Sequence, residues 1–160
     1  MKQLILTRHA TAQPEQFPGK DFERKLSESG VTESKLLGNF LTGKGVEPEL
    51  LLTSSALRTL GTAEILKDTA GWNQVELKSF ILLYNAGFQQ ILNYIKEVPP
   101  QISRLMLVAH NPGISQLATV LSADHPYQFP TAGCLCLEFP FGEWNSLATG
   151  SGIEKWYFNP

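Results

Sequence analysis

The stretch Arg104-Leu105-Met106-Leu107-Val108-Ala109-His110-Asn111 decides the fold of this chain. An apolar run of this length, unbroken by polar residues and followed at once by His and Asn, has the pattern of a buried strand. The residues after it, about 113–122, have helical character. Outward from this point the same alternation recurs. Gln3-Leu4-Ile5-Leu6-Thr7 is a first strand candidate, and Leu50-Leu51-Leu52-Thr53 is an apolar run too short for a helix by itself. Residues 28–42 follow a helical period, with Val31, Leu37, Phe40 and Leu41 near one face and Gly43 and Gly45 as stop signals. A second helix is expected from Ser54 or Ser55, whose hydroxyls can cap free N–H groups, through Leu57, Ala63, Leu66 and Lys67 toward Gly71. A third, at about 87–97, stops at Pro99-Pro100. The tail turns β-like at about 132–139 and near 153–158.

Strand alternating with helix predicts an α/β domain with a mainly parallel central sheet, and no repeat or linker divides residues 1–160 into more than one domain. The chain's 160 residues, with 42% hydrophobic, 18% charged and 10% aromatic content, suit one compact core and argue against disorder. Thirteen Lys+Arg against fifteen Asp+Glu give a net charge of −2, which is no broad footprint for nucleic acid. No apolar run approaches the roughly 18–20 residues of a membrane span. The apolar stretch after Met1-Lys2-Gln3 is too short for the core of a secretory signal. Cys134 and Cys136, one residue apart in an apolar run, read as core residues rather than a bridge or a zinc site. The expectation is a soluble, cytoplasmic protein with no metal and no cofactor.

Parallel sheets bind ligands beyond the carboxyl ends of their strands. Three polar clusters occupy such positions here. Arg8-His9 follows the first strand, Ser54 to Arg58 follows the second, and His110-Asn111 follows the strand at 104–109. Two histidines and two arginines therefore converge on one rim. Guanidinium groups match phosphate oxygens, and N–H groups at the helix start near Ser55 can join the same anion site. The chain has neither a Cys-x5-Arg loop nor a GxxxxGK[ST] loop. Histidine itself can attack phosphorus, and cations nearby favour the neutral imidazole that this requires. A second histidine can donate hydrogen bonds to the phosphoryl oxygens.

These residues resemble the histidine phosphatase superfamily. The match lies in Leu6-Thr7-Arg8-His9-Ala10, in Ser54-Ser55-Ala56-Leu57-Arg58-Thr59 with Thr62-Ala63, and in Val108-Ala109-His110-Asn111. Arg24-Lys25-Leu26-Ser27-Glu28-Ser29-Gly30 is similar to the segment that opens the first helix in that family. Among its branches the chain looks most like the small SixA-type phosphohistidine phosphatases. The resemblance implies a phosphoglycerate mutase-like, three-layer α/β/α sandwich. It implies His9 as the residue that becomes phosphorylated, with Arg8, Arg58 and His110 completing the phosphate pocket. Arg24 matches an arginine near the pocket entrance, and Ser55 and Asn111 stand as further substrate-binding candidates.

Larger members carry an acidic proton donor after the third strand and long insertions over the substrate. The corresponding stretch here, Ser79-Phe80-Ile81-Leu82-Leu83-Tyr84-Asn85-Ala86-Gly87, holds no carboxylate, and Tyr84 and Asn85 stand where the acid would be. Without a proton donor, cleavage of an O–P ester forgoes the roughly 10²–10⁴-fold that acid catalysis supplies. Phosphohistidine can leave as neutral imidazole, whose conjugate acid has a pKa near ~6.5. The reading that follows is a metal-independent phosphohistidine phosphatase acting on a phosphorelay or phosphotransfer protein. The alternatives are a phosphatase of small phosphate esters and a non-catalytic phosphoprotein-binding module. His125, in Asp124-His125-Pro126, reads as a loop residue, and Asp21 and Glu23 as surface partners of Arg24. Asn111 either orients the loop of His110 or caps the next helix.

Overall fold

The computed structural model describes residues Met1–Pro160. Strands β1 (Lys2–Arg8), β2 (Leu50–Ser54), β3 (Glu76–Phe80), β4 (Arg104–Ala109), β5 (Cys134–Phe139) and β6 (Ile153–Phe158) form one six-stranded sheet. Their order is β3-β2-β4-β1-β5-β6. Four helices cover it: α1 (Glu28–Gly43), α2 (Leu57–Ala70), α3 (Phe88–Lys96) and α4 (Gly113–Ser122).

Successive strand residues point to opposite faces, and the central strands are apolar on both. Leu4 and Leu6 of β1, Leu50 and Leu52 of β2, and Leu105 and Leu107 of β4 pack with Ile91 and Ile95 of α3 and Ile114 and Leu117 of α4. Ile5, Leu51, Met106 and Val108 face the other way, against Leu37 and Leu41 of α1 and Ala63 and Leu66 of α2. The result is three layers with a core on each side of the sheet.

The sheet is mixed rather than mainly parallel. β1 pairs with β4, β4 with β2, and β2 with β3 in parallel, whereas β5 runs antiparallel to both β1 and β6. The cause is the connection after α4. Residues 123–133 carry the chain back to the carboxyl end of β1, where the Ala132 N–H donates to His9 O at 3.2 Å. β5 therefore begins beside Thr7 and can only run opposite to β1.

The predicted helices and buried strands fall within a few residues of the observed ones, with two departures. β3, Glu-Leu-Lys-Ser-Phe, gives no apolar run because it is an exposed edge strand, so the pattern missed it. α2 starts at Leu57 rather than at Ser54 or Ser55 and has no side-chain cap, because Ser54 still belongs to β2 and the cap position falls on Ala56, which has no hydroxyl. Gly71 closes the same helix at φ +70°, a conformation glycine takes freely.

Candidate active site

Register places the two histidines. β1 and β4 run parallel with Arg8 opposite Ala109, and the His9 N–H donates to Ala109 O at 3.1 Å. The next residues, His9 and His110, leave adjacent strands at the same level, with ring centroids 5.2 Å apart. His9 Nδ1 donates to Ala10 O at 2.8 Å, and Arg58 Nε donates to His9 Nε2 at 3.3 Å. Both bonds select the tautomer whose Nε2 carries the lone pair. Burial, followed by the charges of Arg58, Arg8 and Arg24, lowers the His9 pKa to about 4 against the bond to Ala10, so the ring is neutral at pH 7.

The turn after His9 is fastened at several points. The Ala10 N–H donates to Thr62 Oγ1 at 3.0 Å, and Thr11 donates through its N–H and its hydroxyl to Glu33 at 2.9 and 2.7 Å. Ser27, the N-cap of α1, also donates its hydroxyl to Thr11 O at 3.1 Å. Gly30 lets α1 approach so closely that a Cβ there would lie 1.9 Å from Thr11 O. The Ser-x-x-Gly spacing of the sequence motif thus serves to hold the backbone that carries His9.

Arg58 is 3% exposed and comes from the first turn of α2. Besides meeting His9, it donates to Asp21 O at 2.7 Å and to Asp21 Oδ2 at 3.0 Å, leaving N–H groups on both terminal nitrogens free. Asp21 sits in a single-turn 3₁₀ helix, Asp21–Glu23, and also receives Arg24 at 2.8–2.9 Å and the Tyr84 hydroxyl at 2.5 Å. Although desolvation opposes it, the bond from Tyr84 and the charge of Arg58 bring the Asp21 pKa down to about 2. Asp21 thus pairs with Arg24 as the sequence suggested, and beyond that pairing its carboxylate, ionised at neutral pH, enters the site through Arg58 and Tyr84. Only its three-residue spacing from Arg24 hinted at this role. The Tyr84 ring stands edge-on to His110 at 5.5 Å and beneath the Arg58 guanidinium at 5.8 Å, so Tyr84 lines the site. Asn85 is exposed, at φ +52°.

Ser54 Oγ lies 2.6 Å from His110 Nε2 and 2.7 Å from Thr59 Oγ1. Burial first, then the charges of His9 and Arg58, brings the His110 pKa to about 3. Arg8 donates to Phe129 O at 3.0 Å, and Asn111 Nδ2 donates to the same carbonyl at 2.9 Å while Asn111 Oδ1 accepts from Ser115. Asn111 thus ties the His110 turn to the connection before β5, and both ends of its amide are used. Three buried side-chain polar atoms lack any partner, and two of them, Arg8 Nε and His110 Nδ1, belong to this cluster. Two unsatisfied buried nitrogens at one rim leave room for a polar group to be bound there.

Arg8, His9, Arg58 and His110 thus share one rim, with Arg24 at its edge through Asp21. Ser55 stands apart. Its N–H is spent on Phe80 O at 3.3 Å, whereas the neighbouring Ser54 is the serine whose hydroxyl reaches His110. His125 is exposed and packs against Tyr127, and Cys134 and Cys136 are buried free thiols. No cluster of three or more His, Cys, Asp or Glu side chains converges as a metal site would. No helix is long and apolar enough to cross a membrane.

No family model matches the chain. It is 26% identical over 163 residues to an uncharacterised chloroplastic protein of Arabidopsis thaliana, covering 97% of this chain and 74% of the relative. It is 28% identical over 152 residues to an uncharacterised protein of Mycobacterium leprae, covering 88% and 91% of the two chains. Among solved structures, one assigned as the phosphohistidine phosphatase SixA of Agrobacterium tumefaciens superposes with a TM-score of 0.84 at 24% identity, over 99% and 98% of the chains. The protein histidine phosphatase SixA complexed with tungstate gives 0.80 at 24%, over 98% and 96%. A mycobacterial glucosyl-3-phosphoglycerate phosphatase gives 0.71 at 15%, over 99% of each chain. The chain has the fold of these phosphatases.

Proposed function

We propose that this protein is a histidine phosphatase of the SixA type, which hydrolyses the N–P bond of phosphohistidine in a partner protein without a metal. The observation that carries this reading is the placement of His9, whose Nε2 accepts from the Arg58 guanidinium at 3.3 Å with the His110 ring 5.2 Å away. In the proposed reaction Nε2 attacks phosphorus, the N–P bond of the substrate breaks, and the partner's imidazole leaves neutral, its second nitrogen carrying the proton. Water then attacks phospho-His9, releasing phosphate and restoring the free ring. Arg8, Arg58 and His110 neutralise and orient the transferring group, which is the main demand of phosphoryl transfer.

Asp21 strengthens the case for an N–P substrate. A carboxylate does stand in the pocket, but with a pKa of about 2 it holds no proton to give to a departing alkoxide. Tyr84 is held as a donor to that carboxylate, with its own pKa raised. Neutral imidazole needs no such acid.

Single-turnover dephosphorylation of a phosphohistidine protein by wild type and by His9→Ala tests the reading. Loss of turnover with retained binding is expected, and equal rates would leave the nucleophile without support. Scoring N–P and O–P substrates by kcat/KM separates this reading from a small-ester phosphatase. Binding without turnover by the wild type would point to a phosphoprotein-binding module instead.

A further inference from the structure

The hydrogen-bond chain behind His110 has a direction. Thr59 Oγ1 lies 2.8 Å from Ala56 O and 2.9 Å from Ser54 O, and carbonyl oxygens only accept, so its one hydroxyl proton is committed to the backbone. The 2.7 Å contact between Ser54 Oγ and Thr59 Oγ1 then takes the proton of Ser54. With that proton spent, the 2.6 Å contact between Ser54 Oγ and His110 Nε2 takes its proton from the ring. The reverse polarity would leave Thr59 Oγ1 facing two carbonyl oxygens at 2.8 and 2.9 Å with no proton between them. His110 is therefore protonated on Nε2, and its lone pair sits on Nδ1, the buried nitrogen without a partner. A phosphoryl oxygen is also an acceptor and cannot bond to that lone pair.

We infer that Ser54 and Thr59 hold His110 in a tautomer that meets an oxyanion only after gaining a second proton, so each dianion that binds draws one proton from solvent onto Nδ1. The inference rests on the phosphate-pocket reading above. In the free site the ring is neutral. On binding, one solvent proton adds to Nδ1, Nε2–H stays on Ser54, and the new N–H bonds to the anion; departure of the anion returns the proton. The charged and titratable groups facing His110 are His9, Arg58 and Arg24, which disfavour a second proton, and Asp21, which favours it, with Tyr84 edge-on to the ring. An arriving dianion tips this balance. Ser54 and Thr59 act through His110 and are positioning residues.

Tungstate, a dianionic oxyanion near neutral pH, is a suitable probe. Calorimetry should show its association constant falling about tenfold for each pH unit between about pH 6 and 8, with one proton taken up per site. In Ser54→Ala the neutral ring is free to present Nδ1–H, and both the slope and the uptake should collapse toward zero. His110→Asn supplies a donor that does not titrate and should bind without uptake, which covers the case of a Ser54→Ala protein that fails to fold. Wild-type binding with no uptake would overturn the inference, as would uptake that survives both substitutions. Absence of tungstate binding would remove the anion pocket itself, and the proposed function with it.

Discussion

The two ends of β1 both bury positive charge, and they treat it differently. At the amino end Lys2 is 1% exposed, and its ammonium donates to Pro100 O and to Ile102 O while lying 5.4 Å from the Trp144 ring centroid. Two carbonyls and an aromatic face satisfy it. At the carboxyl end Arg58 and Arg8 surround two neutral imidazoles, and Arg8 Nε and His110 Nδ1 have no partner at all. The Lys2 ammonium is thus fully bonded within the fold, whereas the Arg8 guanidinium and the His110 ring each keep a buried nitrogen able to meet a further group.

Substitutions at the two ends should therefore have opposite signatures. Arg58→Met is expected to lower kcat by about 10²–10³-fold, the range seen when a preorganised donor to a developing anion is lost. Thermal unfolding should fall only modestly, because Asp21, which loses Arg58, keeps Arg24 and the Tyr84 hydroxyl as partners. A large fall in Tm would show that Arg58 is structural. Lys2→Met reverses the pattern. Leaving two buried carbonyls unpaired should cost about 1–3 kcal/mol in denaturant unfolding, with kcat/KM unaltered. A loss of turnover there would dissolve the contrast.

Acid sharpens it further. The folded pKa values of about 4 for His9 and about 3 for His110 lie below those of the unfolded chain, so unfolding takes up protons as the pH falls below about 6.5. Stability conferred by these rings is complete above that point and is lost as the pH drops toward 4. Urea titrations should show a decline of about 6 kcal/mol over that window, about 3 kcal/mol from each ring, and about half as much in His9→Asn. A flat profile would mean that the rings are not buried in neutral form. The smallest effect is expected from Tyr84→Phe. It removes one of several donors to Asp21, and turnover on a phosphohistidine substrate should fall by less than about tenfold. A larger loss would make Tyr84 the missing acid.

Much of this was readable in the residues themselves. The apolar runs of β1, β2 and β4 are continuous because these strands are covered on both faces, and the polar groups after them mark the rim. The exposed edge strand β3 left no such trace. Nor did the antiparallel direction of β5, because nothing in residues 123–133 announces that the connection climbs back to the rim. Asp21 escaped for a related reason. Its partners Arg58 and Tyr84 are 37 and 63 residues away in sequence, and only the fold reveals what a lone carboxylate in a loop will touch. The Ser54–Ser55 dipeptide offered two hydroxyls to choose between. Strand pairing decided the matter by spending the Ser55 N–H on Phe80 and turning Ser54 toward His110.

The distance between His9 and His110 is dictated by the hydrogen-bonded ladder of β1 and β4, since each follows directly on the paired residues Arg8 and Ala109. No loop or helix takes part in that measurement. Insertions in the surrounding segments could reshape what docks at the mouth while the two imidazoles kept their separation, but deleting a single residue from either strand would slide one ring past the other. Such a scaffold lets the mouth vary while the spacing of the two imidazoles stays fixed.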